Sequence, residues 1–315
     1  MIIHQDRIAL LAAAALAAAC GTPEQKPAAE NASAKPAGPQ KIAEATGMKT
    51  PESVRYDPAQ DIWFVSNING NPSQKDGNGF IVRLSADGAA MDATPFIESG
   101  KKGVTLNAPK GLAIVGDTLW VADIDAVRAF NTKTGAPIAS IDIKGSSFLN
   151  DVVAGPDGSV YITDTGVCYD AKGQMSHPGP DRIVQVIGRQ YKVVASFTGQ
   201  PGPNGIAYDP TNQRFLVNAF GSRNFFAWKP GMAAPDSVGV GAGGGDGLEF
   251  LSDGRAAYTS WADSSLSIFA NGTSTTLMKG LPGPADIGYD AKRQRIAIPL
   301  FNDGKVVFVA LDGAK

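Results

Sequence analysis

Apolar residues in this chain come in short runs, and the runs repeat. Six stretches share one order: a small residue or proline, a variable residue, a small residue or aspartate, then an apolar run, a tight turn and a second apolar run. They begin TPESVRYDPAQDIWFVSN, APKGLAIVGDTLWVAD, FLNDVVAGPDGSVYITD, GPNGIAYDPTNQRFLVN, GGDGLEFLSDGRAAYTSW and GPADIGYDAKRQRIAIPLF. Runs this short, bounded by Gly, Pro, Asp and Asn, read as β-strands joined by hairpins. Each unit then supplies two more strands, as in SLSIFANG followed by STTLMKG. Four strands per repeat of roughly 40–50 residues is the pattern of a β-propeller blade. The chain therefore predicts an all-β, six-bladed propeller with four-stranded blades over residues 41–315. No amphipathic stretch long enough for a crossover helix separates the strands, which argues against a doubly wound α/β fold. The sixth unit ends in KVVFVALDGAK without a fourth strand. Residues 41–46 are expected to supply it and close the ring, removing the open edges of a partial one.

The variable residues are Glu52, Lys110, Asn150, Asn204, Asp246 and Ala285, spaced 39 to 58 residues apart. Each precedes the innermost strand of its blade, so all six surround one end of the central channel. The frame builds the blade while the varied residue faces a shared site. Glu52, Asn150, Asn204 and Asp246 offer two carboxylates and two amide oxygens, a hard donor set suited to Ca²⁺ and also to Mg²⁺ or Mn²⁺. Asn or Asp before a strand also serves as a plain turn cap. Four on matching positions make the shared site the better reading.

Composition narrows the alternatives. A formal charge of −2 over 315 residues gives no reason to expect a nucleic-acid partner. Two histidines, His4 and His177, and two cysteines, Cys20 and Cys168, exclude a His- or Cys-rich metal site within one chain. Any metal must be held by oxygen. The start of the chain is a targeting segment: Arg7, an apolar run from Ile8 to Ala19 too short to span a bilayer, then Cys20. Leu16-Ala17-Ala18-Ala19 before that cysteine resembles the lipobox of bacterial lipoproteins, with simple signal-peptide cleavage as the alternative. The reading is a signal peptide over 1–19, a lipidated Cys20 and a flexible tether over 20–40 without apolar periodicity. The domain would then sit on the cell envelope. Gly21 stands where an Asp often retains lipoproteins at the inner membrane, so the outer membrane, facing the periplasm, is expected.

With these motifs in register, residues 47–315 resemble the senescence marker protein/gluconolactonase/luciferin-regenerating enzyme family, akin to diisopropylfluorophosphatase. The resemblance implies that Glu52, Asn150, Asn204 and Asp246 hold a catalytic divalent metal, Ca²⁺ first and Mg²⁺, Mn²⁺ or Zn²⁺ otherwise. It also implies that Asp246 or a water on the metal attacks a lactone or ester carbonyl. Two departures stand out. Sugar-lactonase members tend to carry an Arg two residues before the blade-three Asn, where this chain has Phe148. Lys110 occupies a position at which the family has no ligand. A lysine about 8 Å from a dication is opposed by roughly 4 kcal/mol at an effective dielectric near 20. Lys110 either weakens the metal, pairs with Glu52, or binds an anionic substrate.

Two long loops, NINGNPSQKDGNG in blade one and TGVCYDAKGQMSHPGPD in blade three, should emerge at the same end as a lid. His177 in the second is a candidate general acid or base, and Cys168 an inert thiol. Asp123 and Asp164, ending second strands, read as structural. The leading expectation is a monomeric, membrane-tethered, metal-dependent hydrolase of lactones or related esters, with Lys110, Phe148 and His177 touching substrate. The competing one is a non-catalytic propeller that binds a small ligand or a partner protein.

Overall fold

The computed structural model describes residues 38–311, and among them there is no α-helix. Six antiparallel four-stranded sheets follow one another along the chain. Blade one comprises Pro51–Asp57, Ile62–Asn67, Phe80–Ser85 and Ile97–Glu98; blade two comprises Pro109–Val115, Thr118–Asp123, Ala126–Asn131 and Pro137–Asp142. Blade three takes Leu149–Ala154, Val160–Asp164, Arg182–Ile187 and Gln190–Ser196, with a small hairpin, Cys168–Tyr169 and Met175–Ser176, inserted after its second strand. Blade four runs from Pro203 to Val240 and blade five from Gly245 to Lys279. The expected six-bladed propeller is present.

Burial grades outward as the strand sequences require. First and second strands are buried on both faces, as Ile62–Asn67 is throughout, whereas fourth strands such as Gln190–Ser196 alternate and turn polar side chains to water. The core lies between blades. Six apolar clusters fill the six blade interfaces, for example Ala113, Ala122 and Val127 of blade two against Val152, Val160 and Ile162 of blade three. Near the axis, some first strands approach so closely that only glycine fits. A Cβ on Gly205 would lie 2.1 Å from the Asp246 carbonyl oxygen, and one on Gly247 would lie 2.4 Å from the Ile287 nitrogen.

Blade six is built from both ends of the ring. Gly288–Asp290, Arg295–Leu300 and Lys305–Ala310 are completed by Gln40–Thr46, which pairs antiparallel with Lys305–Ala310, Gln40 opposite Ala310 and Thr46 opposite Lys305. The closing strand expected over 41–46 begins one residue earlier. The expected signal peptide over residues 1–19, the expected lipidation site Cys20 and all but the last three residues of the expected 20–40 tether lie outside the described residues.

Candidate functional site

Five of the six variable residues, all but Ala285, sit on a local distortion of the first strand. Pairing between first and second strands slips by one residue between Pro51 and Val54, Pro109 and Leu112, Leu149 and Val152, Pro203 and Ile206, and Gly245 and Leu248. The extra residue of a β-bulge re-aims a side chain and takes one backbone N–H off the ladder. In four blades that N–H donates to a side chain on the second strand. Ser53 N–H bonds Ser66 Oγ (2.9 Å), Asp151 N–H bonds Thr163 Oγ1 (3.0 Å), Gly205 N–H bonds Asn218 Oδ1 (2.9 Å) and Gly247 N–H bonds Thr259 Oγ1 (2.8 Å). These are the blades of Glu52, Asn150, Asn204 and Asp246. Where the variable residue is Lys110 or Ala285, the corresponding second-strand residue is Ala122 or Pro299. The oxygen donors thus come with a polar partner that satisfies the bulge.

The four donors and Lys110 line one cavity of about 230 Å³, with Phe148, Phe220, Trp261 and Phe301 among its walls. All five polar residues are buried, Lys110 completely. Their hydrogen bonds hold them in fixed orientations. Asn150 Nδ2 donates to Thr165 Oγ1 (2.9 Å), which itself donates to the Pro203 carbonyl (2.7 Å). The Trp261 indole N–H donates to Asp246 Oδ2 (2.7 Å). Three buried oxygens, Glu52 Oε2, Asn204 Oδ1 and Asp246 Oδ1, have no hydrogen-bond partner.

Burial dominates the electrostatics. It raises the Glu52 carboxyl well above the usual range, the Asp246 and Asp286 charges adding to the effect and the Lys110 charge opposing it. Asp246 is pushed up to about 8 by burial and then by Asp286, against the hydrogen bond from Trp261. Lys110 is pushed down to about 8 by burial, with Glu52 and Asp123 resisting. A site with two carboxyls that hold their protons, and orphaned oxygens beside them, lacks a positive charge. A divalent cation would supply one. Among the described residues no three His, Cys, Asp or Glu side chains gather at one point. The set reaches four donors through the two asparagine oxygens, which suits a hard cation rather than a thiophilic one.

Deeper in the channel the first strands carry charge into a polar plug. Asp286 N–H donates to the Glu52 carbonyl (2.8 Å), Ser53 Oγ donates to Asp286 Oδ2, and Asp151 Oδ2 accepts from Ile206 N–H (2.8 Å). Arg55 pairs with Glu249, lies 3.7 Å from Asp286 Oδ2 and donates to the Leu112 carbonyl (2.7 Å). Sequence pattern does not reveal this plug, because Ser53, Asp151 and Asp286 follow the variable position directly and read as part of the frame.

Lys110 and Phe148 prove to be neighbours. The Lys110 ammonium donates to the Ala108 carbonyl (3.1 Å) and lies 4.2 Å from the centre of the Phe148 ring. No ion pair joins it to Glu52 among the described residues. His177 is elsewhere: it pairs with buried Asp181, whose other oxygen accepts from Gly202 N–H (2.6 Å), and it does not line the cavity. Asp123 and Asp164 act structurally, accepting from backbone N–H groups and from Arg128 and Arg182. The two long loops do meet over this end. Asn71 Nδ2 donates to the Asp170 carbonyl (2.7 Å) and Tyr169 N–H donates to Ser73 Oγ (3.0 Å), with Pro72 and Tyr169 on the cavity wall.

No protein-family model matches the chain, and no curated protein matches it in sequence. Solved structures do match in fold. A gluconolactonase from Xanthomonas campestris aligns with a TM-score of 0.66 at 16% identity, over 87% of this chain and 95% of its own. A calcium-binding protein, regucalcin, from Agrobacterium tumefaciens aligns at 0.61 and 15% identity, over 89% and 95%. A chain of a nidogen/laminin complex aligns at 0.55 and 17%, over 75% and 88%. Likeness at this identity extends to a gluconolactonase and to a nidogen/laminin complex alike, so it establishes the propeller, and function rests on the site.

Proposed function

We propose that this protein is a divalent-metal-dependent hydrolase of lactones or related esters, tethered to the bacterial cell envelope through Cys20. One observation carries the reading: three of the four candidate donors hold a buried, unpartnered oxygen in a single cavity. Buried polar atoms in folded proteins nearly always find a partner, and a cation would partner all three at once. The gluconolactonase and the calcium-binding protein among the fold relatives are consistent with it.

Glu52, Asn150, Asn204 and Asp246 would hold the metal, Ca²⁺ first on the all-oxygen donor set. When bound, the metal polarises the substrate carbonyl. The chain's own residues do the rest. Asp246 Oδ2 accepts from the Trp261 indole, which fixes the carboxyl; beside a bound cation Asp246 would be ionised and, as a carboxylate, could take the proton of the attacking water. Water adds to the carbonyl carbon, the ring C–O bond breaks, and the proton passes to the departing alkoxide to give a hydroxy acid. Lys110 lines the same cavity, which supports a role in receiving the new carboxylate.

A second reading follows from Lys110 alone. A fully buried ammonium beside Glu52 partly supplies the positive charge that the site lacks, as a ligand-binding propeller without metal would need. Elemental analysis of the purified protein, with lactone hydrolysis by wild type and Asp246→Asn, decides between them. The hydrolase reading expects stoichiometric divalent metal and loss of hydrolysis in a folded mutant. A metal-free protein without hydrolysis when supplied with Ca²⁺, Mg²⁺, Mn²⁺ or Zn²⁺ leaves the binding module.

A further inference from the structure

The blade repeat sets a second ring of side chains above the first. The residue immediately after each second strand is Ile68, Ile124, Thr165, Phe220, Trp261 or Phe301, from blade one to blade six. Five of the six line the cavity, and Ile124 packs behind them with Ile68, Ala108 and Phe301. The three aromatics belong to consecutive blades and touch in series. Ring centres of Phe220 and Trp261 lie 5.7 Å apart, and those of Trp261 and Phe301 lie 5.5 Å apart. The cavity therefore has a polar floor, made by the variable residues, and an apolar collar.

The collar has little to offer a hydroxyl group. Thr165 is its one hydroxyl, already donating to the Pro203 carbonyl and accepting from Asn150; the Trp261 N–H is taken by Asp246. Above the collar, Pro72 and Val167 add apolar surface, and Tyr169 leans its ring towards Phe148 at 5.9 Å. Aromatic walls bind sugars where neighbouring polar groups meet the hydroxyl edges. Here the walls supply the rings with one further hydroxyl, that of Tyr169, and the other polar groups lie on the floor. Each substrate hydroxyl stranded against such a wall lowers affinity by about tenfold.

We propose that the substrate is an apolar lactone or ester, an aryl-fused or alkyl-substituted ring whose body fills the Phe220–Trp261–Phe301 collar while its carbonyl reaches the Glu52–Asp246 floor. This rests on the hydrolase reading and specifies its substrate class. Volume agrees: a dry cavity of about 150 Å³ accommodates benzene, and about 230 Å³ accommodates a benzene ring fused to a lactone.

The test separates the two claims. The full-length protein is titrated calorimetrically with 3,4-dihydroquinolin-2-one, a hydrolysis-resistant aryl lactam, and with gluconolactam, its polyhydroxylated counterpart. In parallel, hydrolysis of dihydrocoumarin and glucono-1,5-lactone is followed with Ca²⁺ or Mn²⁺ present. The expected result is aryl lactam binding tighter by at least about tenfold, with kcat/KM ordered the same way. Phe301→Ser should weaken the aryl lactam by about tenfold and leave Ca²⁺ affinity unchanged. Equal binding of both lactams, tighter gluconolactam, or no binding of either overturns the apolar class, whatever the hydrolysis shows. Tight aryl lactam binding with neither lactone hydrolysed overturns the hydrolase and leaves an apolar ligand site.

Discussion

The Lys110 ammonium stands 4.2 Å from the centre of the Phe148 ring, so the chain's two departures from the sugar-lactonase pattern are in contact. A buried ammonium gains up to about 2 kcal/mol from such a ring. Phenylalanine at position 148, where sugar-lactonase members tend to carry arginine, adds no second buried cation and cages the first. The two changes form one device.

Lys110→Met removes the charge while keeping the length of the side chain. If the ammonium opposes a metal on the Glu52–Asp246 floor, Ca²⁺ affinity rises by about tenfold or more. Calorimetric titration of chelator-treated protein at pH 7 measures this. An unchanged dissociation constant, with a higher KM for anionic esters only, would assign Lys110 to substrate instead.

Stability of the metal-free protein should pass through a minimum near pH 8. Glu52 and Asp246 hold their protons to higher pH when folded than when unfolded, Asp246 to about 8. Between roughly pH 4 and 8 the folded state thus binds more protons than the unfolded chain, and stability falls as pH rises. Lys110 has the opposite sign above that point. Its folded value near 8 lies below the unfolded one, so its penalty fades at higher pH. Thermal melts from pH 5 to 9.5 in chelator should show the trough, and Ca²⁺ should fill it. Melting temperatures that rise from pH 5 to 8 in chelator would contradict the buried carboxyl pair.

Thr163→Val tests the bulge. Thr163 Oγ1 accepts from Asp151 N–H at 3.0 Å and donates to the Asn204 carbonyl at 2.6 Å. Valine keeps the shape and strands both groups in the interior, costing about 2–4 kcal/mol. Urea denaturation reads the cost. A loss below about 0.5 kcal/mol would mean that the bulge needs no side-chain partner.

The ring seam can be opened by truncation. A chain starting at residue 38 keeps Gln40–Thr46 on blade six, whereas one starting at residue 47 exposes the edge of Lys305–Ala310. The shorter chain should melt several degrees lower and associate through that edge, as light scattering would show. Equal melting temperatures would show that blade six holds without its fourth strand.

Cys20→Ala should move the protein from the membrane pellet to the soluble fraction, with fold and site unchanged. Retention of the mutant in the pellet would rule out the lipid anchor.

Much of this architecture was legible because the repeat is legible. Six copies of one frame announce six blades, and the one residue that escapes the frame marks the floor of the cavity. Residues that also repeat but serve the site were harder to see. Ser66, Thr163, Asn218 and Thr259 look like ordinary strand residues until the register slip beside Glu52, Asn150, Asn204 and Asp246 is known, and register belongs to a pair of strands. Trp261 and Phe301 closed the copies YTSW and IPLF, where apolar residues at strand ends read as packing. His177 shows the reverse. Its loop reaches the site, but its imidazole turns to Asp181, a partner no spacing rule identifies.

Blade six has a consequence for biosynthesis. Glu52 belongs to the first blade made, yet its carbonyl accepts from the N–H of Asp286 in the last. The strand opposite Lys305–Ala310 was synthesised some 260 residues earlier. A nascent chain can stack its blades in order as they emerge, but it cannot bring Glu52 to its neighbours until the final blade arrives and the belt is buckled. A chain cut short by a premature stop keeps its early blades and has no floor to its cavity.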